Sequence, residues 1–366
     1  MWPKVGILGG GQLGRMLVQA GLDWGLDCKI LDAAPDGPCA CFKGFTQGSP
    51  NDENDVLKFA QDLDVLTVEM ENVSVPALEK LARQGVKVHP SPEVLAIVQD
   101  KGKQKQFLQA YGFPTSPFVF VDTDSELRAA AGRLAPAALK TRRGGYDGKG
   151  VSFDLSGPLL APSIVEKRIN VARELSVMAA RSVGGEIRAY DAVETFFRPG
   201  AHLVDKLVCP PALPPSVQSQ AQALTLRIAE ALNHVGVLAV EFFWDDAGAL
   251  WVNEISPRPH NSGHHTIEAC HVSQFEQHLR AILDWPLGDT GLRAPAAMVN
   301  ILGTRHGTPE YRGLREIMAV PGIKVHLYGK KIASPNRKLG HITVMGKDPQ
   351  DVADKLSFIG ENFAVV

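Results

Sequence analysis

The first hundred residues alternate between short apolar runs and amphipathic stretches. Short apolar runs are typical of buried strands, and stretches with apolar residues every three or four positions are typical of helices. The runs and stretches predict strands at 4–8, 28–31, 65–68 and 86–89, and helices at 12–24, 55–62 and 75–84. Because strands and helices alternate, we expect a small parallel sheet of four or five strands.

A proline-rich joint at 89–92 marks the end of this first unit, because proline favours extended backbone. Beyond the joint the pattern changes to strands with short turns and one long amphipathic helix at 216–234. These strands are predicted at 136–140, 151–155, 164–169, 186–195, 202–209, 298–302, 323–328 and 341–345. We therefore expect an α/β and α+β multidomain protein with units at 1–95, 96–290 and 291–366, the last one small and β-rich.

The apolar runs at 237–243 and 249–255 flank the turn-forming sequence DDAG, which predicts a β-hairpin. One acid interrupts each run, Glu241 in the first and Glu254 in the second. A tight turn at this position places Glu241 opposite Val252 and Glu254 on the diagonal of the same face. The two carboxylates are therefore expected to be neighbours.

The acids of this hairpin are candidate metal ligands. Diagonal neighbours in an antiparallel pair lie roughly 7–8 Å apart at Cα, and two carboxylates at that distance suit Mg²⁺ with phosphate oxygens completing its shell. The alternative is a solvated sheet face. Apolar residues on both faces disfavour that alternative, because an unpaired acid in a buried sheet is costly. We expect Glu241 and Glu254 to bind metal.

A second chemical pattern is the glycine-rich segment 144–150 between two predicted strands. Lys140, Arg143 and Lys149 surround its four glycines. The P-loop sequence is absent, but backbone N–H groups and cations in a glycine-rich hairpin suit a lid over triphosphate oxygens. The alternative is a surface hairpin with basic side chains, although an ordinary turn needs fewer glycines.

The amino-terminal sequence GGGQLG at 9–14 matches the dinucleotide-binding fingerprint, and Asp32 follows the second strand. Glycines at a helix amino terminus allow close approach of a phosphate. The pattern does not say whose phosphate, so NAD and another phosphate ligand both remain open. Glu69 and Glu71 follow the third strand, where they either face a ligand or cap the next helix, and Glu71 is the better ligand candidate.

The loop at 256–265 directly follows Glu254 and carries one arginine, three histidines and an asparagine. Arg258 suits bidentate contact with phosphate or bicarbonate. His260 and His264 have the spacing of metal ligands on one helix face. Gly263 argues against a helix there, so hydrogen bonding to an anionic substrate is the preferred interpretation.

Composition narrows the classes of partner. The net charge is −2 and the 366 residues contain 21% charged and 45% hydrophobic positions, so no basic surface for nucleic acid is expected. No apolar run is long enough to span a membrane, and the amino terminus lacks the pattern of a signal peptide. Five cysteines without a CxxC pair are expected to be free thiols in the cytoplasm.

Taken together, the motifs resemble the ATP-grasp ligases of purine biosynthesis, and within them the 5-(carboxyamino)imidazole ribonucleotide synthase family. The resemblance covers essentially the full length of the chain. It rests on GGGQLGRM at 9–16, TVEMENV at 67–73, GGYDGKG at 144–150, VEFF at 240–243, VNEISPRPHNSGH at 252–264, HLYGK at 326–330 and RKLGHIT at 337–343.

The resemblance implies an ATP-grasp fold with a Rossmann-like first domain, a lid at about 113–168 and a homodimeric assembly. It also implies an activity. ATP phosphorylates bicarbonate to carboxyphosphate, which releases CO₂ beside the exocyclic amine of 5-aminoimidazole ribonucleotide (AIR), and a carbamate forms. The expected cofactors are ATP and Mg²⁺, and the partners are small molecules, with no nucleic acid and no membrane.

The resemblance also assigns residues to sites. ATP contacts are implied for Lys101, Lys140, Gly145, Tyr146, Asp147, Gly148, Lys149, Gly150, Glu166, Lys167, Arg168, Ile169, Glu174, Glu194, Asn253 and Glu254. The bicarbonate and ribonucleotide pocket is implied for Gly11, Gln12, Glu71, Tyr146, Arg258, His260, Asn261, Ser262, Lys330 and Arg337. Catalytic roles are implied for Arg258, His260, Asn261, Lys330 and Tyr146, and metal binding for Glu241 and Glu254.

Two departures from the family pattern affect these assignments. Lys101 stands where an arginine is expected, which keeps the charge and loses bidentate geometry. The loop from Lys330 to Arg337 is one residue longer than expected, so Lys331 is an alternative to Lys330.

Three other functions are compatible with parts of the sequence. One is an ATP-grasp ligase with a different amine acceptor, of the phosphoribosylglycinamide type. Another is an NAD-dependent oxidoreductase, which leaves Glu241, Glu254 and the 144–150 segment without a role. The third is a nucleotide-binding regulator without catalysis, against which the intact acids and basic residues argue.

Overall fold

The structure is a computed structural model that describes residues 2–145, 150–198 and 203–366. Within these ranges the strands form sheets of five, four and nine strands and one two-stranded ribbon. None of the helices described is both long enough and apolar enough to cross a membrane.

The amino-terminal part forms the parallel sheet that the alternation predicts. Its strands are β1 (Lys4–Leu8), β2 (Asp27–Asp32), β3 (Phe45–Gln47), β4 (Val65–Val68) and β5 (Lys87–Val88). They lie in the order β3-β2-β1-β4-β5, and every neighbouring pair is parallel. The helices that follow them are α1 (Gln12–Leu22), α2 (Glu53–Phe59), α3 (Val75–Arg83), α4 (Pro92–Val98) and α5 (Lys101–Ala110).

The segment that is expected to form the lid is a separate four-stranded sheet with one helix. Its elements are β6 (Phe118–Val121), α6 (Asp124–Leu134), β7 (Ala137–Thr141), β8 (Val151–Ser152) and β9 (Ser163–Lys167). The strand order is β6-β9-β7-β8. A capping box starts α6, because the Thr123 hydroxyl accepts the Glu126 N–H and the Glu126 carboxylate accepts the Thr123 N–H.

The middle of the chain supplies most of the large antiparallel sheet. Its elements are β10 (Val171–Arg181), β11 (Ile187–Ala189), β12 (Val193–Phe197), β13 (Val204–Cys209), α7 (Pro215–Ala231), β14 (Gly236–Asp245), β15 (Leu250–Ser256), α8 (Thr266–Ala269) and α9 (Gln274–Ile282). A short 3₁₀ turn at Asn261–Gly263 lies between β15 and α8. It replaces the helix that paired histidines would have required.

The carboxyl-terminal strands continue the same sheet. The elements are β16 (Ala296–Leu302), β17 (Tyr311–Arg312), α10 (Leu314–Met318), β18 (Ile323–Leu327), β19 (Lys338–Met345), α11 (Pro349–Asn362) and β20 (Ala364–Val365). The sheet runs β15-β14-β10-β12-β13-β16-β19-β18, with β11 beside β10.

Several elements differ from the sequence-based predictions. The single strand predicted at 186–195 is two strands, β11 and β12, separated by a buried Tyr190. Helices α6, α10 and α11 were not predicted, because they bury few apolar residues. Strand β6 was not predicted either, although its four residues are all apolar. The fold class itself is confirmed.

Helix α9 joins the first two parts of the chain. Its apolar face shares a core with the first sheet and α1, through Phe275, Leu279, Ile282, Val5, Ile7 and Leu17. On the same helix the His278 Nδ1 accepts the Val237 N–H at 3.0 Å. The other ring nitrogen therefore carries the proton, and it lies 2.8 Å from the Thr67 hydroxyl of β4. Strands from two parts of the chain are thus connected through one buried imidazole.

The buried histidines make stability sensitive to acid. Burial lowers the pKa of His278 to about 3, and it does the same for His234. Unfolded histidine titrates near pH 6.5, so this stability is complete above that pH. Below it we expect a loss of about 1.4 kcal/mol per pH unit for each of the two groups.

The prediction is checked by urea unfolding at pH 7.5 and 5.5. His278→Gln should remove its share of the pH dependence, whereas His306→Gln, at an exposed position, should leave the dependence as in the wild type. Equal pH dependence in the wild type and His278→Gln would contradict the assignment.

Candidate active site

The two acids of the β14–β15 hairpin are direct cross-strand partners, which corrects the diagonal arrangement predicted above. Phe242 pairs with Val252, but the next pair is Glu241 with Glu254, because a β-bulge inserts Asn253 into β15. The turn also begins one residue later than expected, since β14 extends to Asp245. The bulge therefore places both carboxylates side by side.

The outer edge of β15 explains how the bulge is held. The Val252 N–H donates to the Pro114 carbonyl at 2.7 Å. Beyond the bulge, the Gln104 side chain exchanges two hydrogen bonds with the backbone of Ile255, at 3.0 and 3.1 Å. The backbone groups on both sides of Asn253 are therefore satisfied without a neighbouring strand.

Like charges directly opposite each other repel, and the electrostatics of the pair show it. Burial raises the pKa of Glu241 to about 7, and the carboxylates of Glu254 and Glu174 add to the shift. Burial also acts to raise the pKa of Glu254, but Lys101 and Lys140 hold it below its ordinary value. Positive charge therefore lies closer to Glu254 than to Glu241, and a cation bound beside Glu241 would reduce the repulsion between the two carboxylates.

The donor set suits magnesium. No group of three or more histidine, cysteine, aspartate or glutamate side chains within the described ranges is arranged to hold a metal. Mg²⁺ is commonly bound through one or two carboxylates together with substrate phosphates and water. Glu241 and Glu254 supply that minimum.

Two lysines lie beside the acids. The Lys101 ammonium is 2.6 Å from Oε1 of Glu254, and Lys140 donates to Oδ1 of Asn253 at 3.1 Å. The bulge thus turns Asn253 toward the strand β7 that carries Lys140. This arrangement collects cations where polyphosphate charge would be bound.

Glu166 is deeply buried and lies next to two cations and one hydroxyl. Its Oε2 is 3.3 Å from both Lys105 and Lys140 and accepts the Ser116 hydroxyl at 2.8 Å. Burial acts against the charged form, yet Lys140 and Lys105 lower the pKa of Glu166 to about 2. Lys105 was not singled out from the sequence, because nothing local distinguishes it in a helix rich in lysine and glutamine.

Two further predicted acids lie on neighbouring strands. Burial raises the pKa of Glu174 to about 7, with Lys140 acting in the opposite direction. Glu194 is buried on β12 and its Oε1 is 2.5 Å from the Arg173 guanidinium. Glu194 therefore already has a cationic partner in this structure.

The loop after β15 brings a second group of predicted residues to the same cleft. The His260 Nε2 lies 3.6 Å from Oε1 of Glu241, and its Nδ1 is 2.9 Å from the Ser262 hydroxyl. Burial holds the pKa of His260 well below its usual range, and the Arg258 charge adds to this effect. The imidazole is therefore neutral at physiological pH.

Arg258 connects this loop with the amino-terminal part. Its Nε is 2.8 Å from Oε1 of Glu71, although the N–H does not point at that oxygen closely enough for a hydrogen bond. The guanidinium also donates to the Pro259 carbonyl at 2.9 Å. Glu71 thus lies at the carboxyl edge of the first sheet and next to the loop, as a ligand-facing residue would.

The amides of Asn261 and Asn300 exchange two hydrogen bonds of 2.9 Å each. Asn300 lies on β16, so the loop is tied to the carboxyl-terminal part of the sheet. Gln274 fixes the loop from the other side, because its amide exchanges hydrogen bonds of 2.8 Å with the backbone of His260. Asn300 and Gln274 were not predicted from the sequence, because their partners in the loop are remote from them along the chain.

The basic loop of the carboxyl-terminal part reaches the amino-terminal glycine loop through Lys330. Its ammonium donates to the Gln12 side chain at 3.2 Å and to the Lys338 carbonyl at 2.8 Å. Arg337 is exposed and donates to the Ile332 carbonyl at 2.6 Å, within the same loop. Lys330 therefore contacts the glycine loop, whereas Lys331 is exposed.

The lid residues are only partly described. Tyr146, Asp147, Gly148 and Lys149 lie outside the described residues. At the base of the segment, the Thr141 N–H donates to the Gly150 carbonyl at 2.8 Å. Strand β9 ends at Lys167, and the Arg168 N–H donates to the Pro136 carbonyl at 2.8 Å, with Ile169 next in the chain.

The glycine loop at 9–14 does not present free donors in the way that a dinucleotide site does. Asp32 accepts the N–H groups of Gly10 at 2.6 Å and Ala34 at 2.7 Å. Glu69 accepts those of Gly11 at 2.9 Å and Gly14 at 2.7 Å. The groups that would bind a pyrophosphate and a ribose are thus engaged within the chain, which disfavours the NAD alternative.

Three family models match consecutive parts of the chain. The ribonucleotide synthetase preATP-grasp domain matches residues 2–99, the ATP-grasp domain matches 106–275, and the phosphoribosylaminoimidazole carboxylase C-terminal domain matches 296–355. Together the three models match most of the chain, from the parallel sheet to the carboxyl-terminal strands.

Curated relatives agree along nearly the whole length. The N5-carboxyaminoimidazole ribonucleotide synthase of Mycobacterium tuberculosis is 40% identical over 371 residues, which cover 96% of this chain and 86% of the relative. The enzyme of the same name from Bacillus subtilis is 37% identical over 358 residues, covering 95% of this chain and 92% of the relative.

Solved structures agree as well. The N5-carboxyaminoimidazole ribonucleotide synthetase of Thermotoga maritima has a TM-score of 0.90 at 37% identity and covers 100% of this chain and 99% of its own. The enzyme of Aspergillus clavatus, solved in complex with ADP and 5-aminoimidazole ribonucleotide, has a TM-score of 0.88 at 32% identity and covers 98% of each chain. With its fold, cleft and motifs in agreement, the chain belongs to the N5-carboxyaminoimidazole ribonucleotide synthase family of ATP-grasp ligases.

Proposed function

We propose that this protein carboxylates the exocyclic amine of AIR, using ATP and bicarbonate, in purine biosynthesis. The observation that carries the proposal is the arrangement in which the bulged pair Glu241 and Glu254 meets two lysines on one side and His260 on the other. The relative from Aspergillus clavatus, which was solved with ADP and AIR, supports the same pair of ligands here.

In the first half-reaction a bicarbonate oxygen attacks the γ-phosphorus of ATP, and ADP leaves, so that carboxyphosphate forms. Lys101 and Lys140 would hold the phosphate oxygens and stabilise charge as it moves to the leaving group. Glu241 and Glu254 would hold Mg²⁺, which would supply positive charge to the phosphate oxygens of ATP. The lid segment 144–150 would exclude water from the carboxyphosphate.

In the second half-reaction carboxyphosphate breaks into CO₂ and phosphate, and the amine nitrogen of AIR attacks CO₂. The nitrogen loses a proton as the carbamate forms, and the phosphate released in the same step can accept it. His260, whose Nε2 lies 3.6 Å from Glu241, would form hydrogen bonds in the pocket as a neutral imidazole. Arg258 would hold the carboxylate or phosphate oxygens in place. Gln12 and Lys330, which are already in contact, would bind the ribonucleotide.

The remaining assignments are part of the same proposal. We place adenine and ribose against Glu166, Lys167, Ile169 and Glu174, and we expect Asn261 and Ser262 to shape the pocket through Asn300 and Ser176. Division into units at 1–95, 96–290 and 291–366, a homodimer and a cytoplasmic location are likewise proposed.

The direct test is ADP release from Mg-ATP with bicarbonate, with and without AIR. We expect strong stimulation by AIR and formation of its carbamate. Stimulation by a different amine only would leave the ATP-grasp chemistry in place and replace the acceptor. ATP binding without ADP release under any condition would favour the non-catalytic regulator.

Glu254→Gln should lower kcat by about 100-fold or more, because it removes one of two charged metal ligands and the partner of Lys101. Steady-state ADP release across a Mg²⁺ titration measures the effect, and the requirement for Mg²⁺ should rise. Glu361→Gln, a change at an exposed glutamate, is the matched control. Near-normal activity of Glu254→Gln would show that the metal assignment is wrong.

Arg258→Ala should reduce AIR-stimulated ADP release by about 100-fold, while the KM for ATP changes by less than about threefold. Its guanidinium faces Glu71 and the His260 loop, and not the lysines beside Glu254. Varying ATP and AIR separately gives the two constants, and Arg258→Lys tests the need for planar geometry. A loss confined to ATP binding would place Arg258 in the other pocket.

A further inference from the structure

The end of strand β4 contributes a buried acid to the glycine loop. Glu69 is only 6% exposed, and both of its carboxylate oxygens accept backbone N–H groups, from Gly11 at 2.9 Å and from Gly14 at 2.7 Å. These two donors lie at the start of α1, where such loops in other proteins bind phosphate. A carboxylate of the chain itself therefore takes the position of an anion.

The glycines of the loop are fitted to this side chain. A Cβ at Gly9, whose φ is +104°, would lie 2.3 Å from Cγ of Glu69, and a Cβ at Gly11 would lie 2.6 Å from its Oε1. Real atoms do not approach so closely, so the loop must lack side chains at these points for Glu69 to enter. The same glycines that suggested a dinucleotide serve instead to admit an internal acid.

The loop and the strand end that Glu69 connects both lead to the proposed ribonucleotide pocket. Gln12, between the two anchored glycines, receives the hydrogen bond from Lys330. Glu71, two residues after Glu69, faces Arg258. The carboxylate thus fixes the backbone from which Gln12 projects.

We propose that Glu69 is a positioning residue for AIR: its carboxylate substitutes for a bound phosphate at the amino terminus of α1 and holds the loop so that Gln12 meets Lys330. This inference rests on the proposed function, because it assumes that the pocket of Gln12, Lys330 and Arg258 binds AIR. It assigns Glu69 no contact with ATP, whose proposed lysines lie beside Glu254.

Two variants test the role. Glu69→Gln keeps the shape but turns an N–H₂ group toward a backbone donor, and Glu69→Ala removes both acceptors. In each we expect the KM for AIR to rise about tenfold or more, because small displacements of a binding group have large effects, while the KM for ATP stays within about twofold. Glu79→Gln, at an exposed position on α3, is the control and should match the wild type.

Anion rescue separates positioning from a general structural role. Acetate has the size and charge of the group that Glu69→Ala removes, so acetate should lower the KM for AIR of that variant, and chloride at equal ionic strength should not. Calorimetric titration with AIR in the presence of ADP measures binding without turnover. AIR should bind most tightly to the wild type, less tightly to Glu69→Ala with acetate, and least tightly to Glu69→Ala with chloride.

Three results would overturn the proposal. They are an unchanged KM for AIR in folded variants, a parallel rise in the KM for ATP, and failure of both variants to fold in circular dichroism at the assay temperature, which would assign Glu69 to folding alone. Failure of the proposed function is recognised separately, since the wild type would then release no ADP in response to AIR.

Discussion

The repulsion between two carboxylates placed opposite each other is the constraint on which the cleft depends. An ordinary hairpin register would have separated Glu241 from Glu254, and the extra residue Asn253 removes that separation. When the two acids face each other, nearby cations offset the repulsion between their charges. Lys101 forms an ion pair with Glu254. Among the described residues Glu241 has no comparable partner, and its raised pKa indicates that a cation beside it would be stabilising.

The surrounding elements follow from this need. Lys101 begins α5, Lys140 is the second-last residue of β7, and the loop after β15 brings His260 to Glu241. Three separate parts of the chain thus converge on one hairpin. A few long-range amides, above all Gln104 and Gln274, hold the backbones that carry these groups. These neutral amides hold the backbones, so the positions of the charged groups do not depend only on contacts among the charged groups.

Periodicity and turn chemistry were sufficient to predict the parallel sheet and the hairpin, and the family motifs were recognised directly, because all of these features depend on residues that are close together in the sequence. The register of Glu241 and Glu254 was beyond such reasoning, since a bulge depends on what covers the outer edge of the strand. The burial of Lys105 and the pairing of Asn261 with Asn300 depend on residues that are remote in sequence. Glu69 accepts the N–H groups of Gly11 and Gly14, which lie more than fifty residues away, so no local pattern connects it with the glycine loop.

The continuity of the nine-stranded sheet limits how the protein can be divided. Strand β13 pairs with β16 along four residues, so the carboxyl-terminal segment covers what would otherwise be a long edge of the central sheet. A bare edge of this kind invites pairing with other chains and aggregation. The carboxyl-terminal segment therefore protects this edge and also supplies Lys330 and Asn300. If the segment were exchanged between relatives, the β13–β16 pairing would have to be kept for the site to form.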